Sequence, residues 1–122
     1  AADEKEPVKV RAFTKKMSNG NRLITIRMKI HPGYRIYTQV DKSDPYLPTT
    51  ITFVLPKGVE KVGELKRPSG RAYNSAGTVV VEEEAIFTQE VRGTGNVTCV
   101  IEYQSCNDQM CMPPAELSLI VK

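Results

Sequence analysis

From Val8 the chain alternates apolar and polar side chains, with Val8, Val10 and Ala12 on one face and Lys9 and Arg11 on the other. The cleanest stretch is Ile24, Ile26, Met28 and Ile30, separated by Thr25, Arg27 and Lys29. Successive side chains of a pleated backbone point to opposite sides, so a period of two predicts a strand with one buried face. Asn19-Gly20-Asn21 between the two runs is turn chemistry and predicts that they pair. His31-Pro32-Gly33 closes the second strand, and Tyr34-Arg35-Ile36-Tyr37 predicts a short third one. Asp44-Pro45 and Leu47-Pro48 force bent or extended backbone over residues 41–48. Alternation resumes at Ile51, Phe53 and Leu55. Residues 60–77 hold no sustained period and contain Pro68, Gly70, Asn74 and Gly77, which predicts a long loop. Val79, Val81, Ala85, Phe87 and Val91 predict a long bent strand interrupted by Glu82-Glu83-Glu84. After the turn Gly93-Thr94-Gly95-Asn96, a strand with Val97, Cys99, Ile101 and Tyr103 on one face follows, and Leu117, Leu119 and Val121 mark the last.

About seven short strands punctuated by Gly, Pro, Asn and Asp, with no amphipathic helix, predict an all-β fold. The expected architecture is an immunoglobulin-like antiparallel β-sandwich of about seven to nine strands, with a small barrel as the competitor. The chain has 122 residues, enough for one core. Residues 1–7 are polar and predict a loose N-terminal arm, leaving 8–122 as a single domain. The Ala1-Ala2-Asp3 start fits a mature chain after signal cleavage or an excised fragment. The formal net charge is only +3 and the two signs are mixed along the chain, which gives no electrostatic reason to expect nucleic acid. No apolar run approaches the ~20 residues that span a bilayer. The 3 cysteines permit at most one intrachain disulfide and exclude a disulfide-dense scaffold.

Reactive residue types concentrate in Tyr103-Gln104-Ser105-Cys106-Asn107-Asp108-Gln109-Met110-Cys111-Met112-Pro113-Pro114. Asn107-Asp108 supplies a turn, so Cys106 and Cys111 can approach the ~4.4–6.8 Å between Cα atoms that a disulfide needs. Two readings are open, a structural staple and a redox pair. A bond closing so short a loop contributes roughly 2 kcal/mol in the chain-entropy picture, against a typical domain stability of about 5–15 kcal/mol. The fold should therefore survive reduction. The site is not thioredoxin-like: the spacing is not C-x-x-C, and no helix N-terminus follows to depress a thiol pKa. The nearest charges in sequence are Glu102, Asp108 and Glu116, and basic neighbours are lacking, so the pair should be a poor nucleophile that a partner's thiolate opens. A rival of another class is Cu(I) binding, since Cys106, Met110, Cys111 and Met112 offer soft sulfur ligands. A third is a pure protein-interaction module. One His and no G-x-S-x-G or H-E-x-x-H leave little for a hydrolase, and a zinc site is not expected. Cys99 reads as inert core packing, His31 as a loop residue, Tyr34 as strand packing, and Glu82 to Glu84 as a solvated face that keeps an edge strand from pairing.

The run Tyr103-Gln104-x-Cys106 followed by Cys111-x-Pro113-Pro114, on the last predicted hairpin of an all-β chain, resembles the N-terminal periplasmic domain family of the thiol:disulfide interchange protein DsbD. Gly33-Tyr34-Arg35-Ile36-Tyr37 is similar to that family's Gly-Tyr-x-x-Tyr strand, and Leu55-Pro56-Lys57-Gly58-Val59 to its Leu-Pro-x-Gly-Val segment. The resemblance extends over residues from about 20 to 122. It implies an immunoglobulin-like fold, a Cys106–Cys111 disulfide, and a protein-disulfide reductase activity that needs no cofactor. Electrons would come from a thioredoxin-like domain of the same or a neighbouring membrane protein and pass to periplasmic thiol proteins. In such domains the second cysteine, here Cys111, is attacked by partners, and Cys106 resolves the mixed disulfide. Tyr37 would lie beside the pair, and a cap within residues 63–74 would shield it, with Leu65 and Tyr73 standing in for an absent Phe. Met110, Met112 and Tyr103 are the candidate docking contacts. The chain departs from the family pattern in having four residues between its cysteines rather than five, and in placing Arg35 where a second tyrosine is common.

Overall fold

The structure, a computed structural model, describes residues 2–122; Ala1 of the expected arm lies outside them. Asp3 to Glu6 are exposed, but Pro7 is buried and its carbonyl accepts the His31 N–H at 2.7 Å. The ordered sheet therefore starts from a docked Pro7 rather than from a free segment.

Eleven strands and no helix occur among the described residues: β1 (Val8–Lys16), β2 (Arg22–Ile30), β3 (Arg35–Gln39), β4 (Thr50–Val54), β5 (Glu60–Lys66), β6 (Arg71–Ala72), β7 (Val79–Val81), β8 (Glu84–Arg92), β9 (Val97–Tyr103), β10 (Ser105–Cys106) and β11 (Ala115–Val121). They form an immunoglobulin-like β-sandwich whose ladders are antiparallel, in the orders β1-β2-β8-β5, β11-β9-β4 and β10-β3-β7-β6. The alternation of β2 holds throughout: Ile24, Ile26, Met28 and Ile30 are all buried. They meet Ala85, Phe87 and Val91 of β8, and Val97, Cys99 and Ile101 of β9, in one hydrophobic core. Burial of this apolar surface supplies the main driving force for the fold.

Three expectations are corrected. Residues 60–77 are not one long loop, because β5 and β6 lie within them. Gly63 adopts φ 75° and the β5–β8 register slips between Val62 and Lys66. Such a bulge adds a residue and breaks the period of two, so the inward positions become Val62 and Leu65. The predicted strand over 79–91 is two strands in different sheets, separated at Glu83, which has φ 68°. Glu82 to Glu84 are exposed as expected, but they mark this crossing and protect no edge, since β7 and β8 are both interior strands.

The inner strands β3 and β7 of the small sheet β10-β3-β7-β6 are covered on both faces. Along β3 and β7, Ile36 and Val81 point into the main core, while Tyr37 and Val80 point the other way and meet Cys106 in a second cluster. That division follows from the pleat alone. Strand β3 is therefore buried at three successive positions, Arg35, Ile36 and Tyr37. The pair of cysteines sits on the outer face of this sheet.

Candidate redox site

Cys106 and Cys111 form a disulfide with Cα atoms 4.0 Å apart, at an isolated antiparallel bridge that closes the 106–111 hairpin. The turn is built by Asn107, whose side-chain oxygen accepts the backbone N–H groups of Gln109 and Met110 at 2.9 and 2.8 Å. Backbone bonds Asn107 N to Met110 O and Met112 N to Ser105 O, both 2.8 Å, frame it. The two cysteines are unequal: Cys106 is 1% exposed, whereas Cys111 is exposed.

The roof over Cys106 comes from two loops. Tyr37, fully buried, stacks on Tyr46 with ring centroids 4.3 Å apart, and Tyr73 meets both rings edge-on at 5.7 and 5.6 Å. The Tyr46 and Tyr73 hydroxyls lie 3.2 Å apart. Asp44 ties the loops together, accepting hydrogen bonds from Asn74 at 2.9 Å and from the Thr78 hydroxyl. Gln104 fastens the hairpin to the same roof, accepting from the Leu47 N–H at 3.2 Å and donating to the Met112 carbonyl at 3.3 Å. The hydrogen bond to Tyr73 is the main cause that pushes the Tyr46 hydroxyl pKa up to about 12. The same bond, with Arg35 nearby, holds Tyr73 below the usual phenol value.

Arg35 faces Cys106 directly across the β3–β10 ladder. Its Nε donates to the Tyr37 hydroxyl at 3.1 Å, one terminal nitrogen to Asp108 at 2.9 Å, and the other to the Asn107 carbonyl at 3.2 Å. Its carbon lies 5.2 Å from the centre of the Tyr73 ring, within range of a cation–π contact. Burial alone would favour the neutral guanidine, but the bonds to Tyr37 and Asp108 outweigh it and raise the pKa above its ordinary value. The expectation that the pair lacks basic neighbours is thus overturned, because the cation comes from a strand about seventy residues away in sequence.

Of the expected site residues, the structure brings Tyr37 and Tyr73 to Cys106. Leu65 packs instead against the main core from β5, so it does not roof the pair. The roof covers Cys106 and leaves Cys111 exposed, so the whole-pair shielding implied by the resemblance is not what the structure shows. Tyr103 and Met112 line one wall of a groove of ≈ 420 Å³ whose other wall runs from Lys5 to Val10. Met110 stands apart at the hairpin tip, 53% exposed. Cys99 is fully buried in the main core, and burial pushes its thiol pKa up to about 11. Arg35, Tyr46 and Gln104 are the contributors that sequence reasoning missed. Tyr46 carried a signal, an aromatic in the short Pro45–Pro48 segment whose prolines restrict the backbone on either side of it. Among the described residues, no group of three or more His, Cys, Asp or Glu side chains could hold a metal, and no helix is long and apolar enough to cross a membrane.

Residues 4–121 match the family model described as "Thiol:disulfide interchange protein DsbD, N-terminal". Three solved structures share the fold. The reduced DsbD N-terminal domain of Neisseria meningitidis has 14% identity and a TM-score of 0.66, over 98% of this chain and 88% of that one. The N-terminal periplasmic domain of ScsB from Proteus mirabilis has 21% identity and a TM-score of 0.59, over 93% of this chain and 44% of that one. A chain of the complex between the DsbD and PilB N-terminal domains of Neisseria meningitidis has 13% identity and a TM-score of 0.64, over 97% and 84%. No curated protein sequence matches.

Proposed function

The chain belongs to the DsbD N-terminal domain family, and from that premise we propose that it relays electrons by thiol–disulfide exchange at Cys106–Cys111. A partner thiolate attacks Sγ of the exposed Cys111, and the Cys111–Cys106 bond breaks with its electron pair leaving on Cys106. The mixed disulfide is then resolved by the partner's second thiolate. The partner ends as a disulfide, and this domain holds two thiols after taking up protons from water. Delivery to an oxidised acceptor runs the same steps in reverse, with Cys111 attacking and Cys106 resolving. Exchange of this kind needs a thiolate, an accessible sulfur and a stable leaving group.

The observation that carries this reading is the inequality of the two cysteines, one exposed and one buried with three tyrosines. The donor is a thioredoxin-like domain and the acceptors are periplasmic thiol proteins; the complex of the DsbD and PilB N-terminal domains supports protein partners for this fold. Tyr103 and Met112 in the groove and the exposed Met110 at the hairpin tip are the apolar surfaces offered to a partner, and the domain works as a periplasmic part of a larger membrane reductase. Cu(I) binding is not favoured, because Met112 lines the groove with Tyr103 while Met110 stands outside it. Mixing oxidised protein with a reduced thioredoxin-fold dithiol and alkylating the quenched thiols tests the proposal. Two new thiols on this domain are expected, and a disulfide that stays intact across the range of dithiol potentials refutes it.

A further inference from the structure

Arg35 has a role that the exchange chemistry alone does not assign. Its side chain is only 11% exposed, yet its carboxylate partner Asp108 is 94% exposed. A nearly buried cation thus relies on an anion that water screens. Residues directly opposite in an antiparallel ladder project to the same face, so Arg35 and Cys106 share the outer face of the small sheet, as do Arg35 and Tyr37. The same guanidinium grips the loop between the cysteines at two places, the Asn107 carbonyl and the Asp108 carboxylate.

We propose, resting on the exchange reaction above, that Arg35 is a positioning residue for it: the guanidinium holds the inter-cysteine loop in place and stabilises the Cys106 thiolate released when the disulfide opens. In the oxidised protein Cys106 is neutral and the guanidinium serves only the loop and Tyr37. When a partner thiolate bonds to Cys111, the electron pair of the broken S–S bond resides on Cys106 beside this cation, with no reductant beyond the partner dithiol required. Packed with Cys106 are Tyr37 of β3, Tyr46 and Tyr73 of the roof and the apolar Val80 of β7; Arg35 stands opposite it on β3, and its own hairpin brings the bonded Cys111 and the exposed Asp108 that Arg35 holds. Arg35 is the one basic side chain among them. A nearby cation favours a thiolate and an apolar, roofed position disfavours it, so removing the cation leaves only the unfavourable environment.

The test is a titration of Cys106 in the fully reduced protein, followed through its ¹³Cβ chemical shift against pH, in wild type, Arg35→Gln, Arg35→Lys and Asp108→Asn. Arg35→Gln should raise the midpoint by about one pH unit, equivalent to a tenfold smaller thiolate fraction, and Arg35→Lys should restore most of the difference. Asp108→Asn removes a competing anion and should move the midpoint down. That opposite sign is not produced by a hairpin that has merely loosened. Equal midpoints in wild type and both Arg35 variants overturn the proposal, as does an upward shift in Asp108→Asn. Should Arg35→Gln fail to fold, Arg35→Met takes its place with the same expected rise, and a midpoint equal to wild type overturns the proposal. Because no partner enters the titration, its failure is separate from a failure of wild-type protein to exchange with a dithiol.

Discussion

Reducing the disulfide should leave the domain folded and cost only about 2 kcal/mol. The bond joins residues five apart in sequence, and the loop-closure entropy that so small a ring removes from the unfolded chain amounts to roughly 2 kcal/mol. The native hairpin has other supports that reduction does not touch. Two backbone bonds frame the turn, Arg35 grips it at Asn107 and Asp108, and Gln104 ties it to Leu47. The main core contains neither paired cysteine. Urea unfolding with and without a strong reductant is the assay. With a slope of ~1–3 kcal/mol per molar for a small domain, the midpoint should fall by about 1 M with little change in slope. Around the thermodynamic cycle, the same ~2 kcal/mol means that folding lowers the pair's reduction potential by about 40 mV relative to the unfolded chain. Loss of the cooperative transition on reduction, or a loss of stability above about 5 kcal/mol, would show that the bond is a structural staple and refute the reasoning.

Further outcomes are expected at three residues. Cys99→Ala should leave exchange intact, and in the native protein Cys99 should resist thiol reagents at pH 8, becoming reactive on unfolding. Because burial raises its pKa from 9.0 to about 11, its contribution to stability should be fully present below pH 9 and lost as pH rises towards 11, read as a falling urea midpoint. Tyr37→Phe removes the oxygen that accepts from Arg35 Nε and should lower stability by about 1–3 kcal/mol, the usual cost of an orphaned buried donor; an unchanged melting temperature would count against that bond. Tyr46→Ala removes the ring stacked on Tyr37 and should speed alkylation of Cys106 in reduced protein several-fold while leaving Cys111 reactivity unchanged, whereas equal acceleration of both thiols would argue against a roof specific to Cys106.

The parts of this molecule legible in its sequence are those where one physical rule acts alone. Strand β2 has one face in the core and one in water, so Ile24 to Ile30 alternate without exception. Strand β5 was hidden because the bulge at Gly63 shifts the inward positions from every second residue to Val62 and Leu65. The cysteine pair stood out by residue type and turn chemistry, and Tyr37 and Tyr73 were reached through resemblance. Arg35 was not legible. A charged residue in a short strand reads as solvent-facing, and its burial depends on the roof built by Tyr46 and Tyr73 from distant loops. Such long-range assembly leaves no local period.

The most direct test uses a thioredoxin-fold partner that lacks its resolving cysteine and carries thionitrobenzoate on the remaining one. Cys111 of the reduced domain should displace the coloured thiol and form a mixed disulfide. In wild type Cys106 then resolves it and frees the partner, so the adduct is transient. Cys106→Ser should accumulate a covalent one-to-one adduct bonded at Cys111, and Cys111→Ser should form none. Absence of an adduct in Cys106→Ser with every thioredoxin-fold partner tried, or an adduct at Cys106 in Cys111→Ser, contradicts the relay.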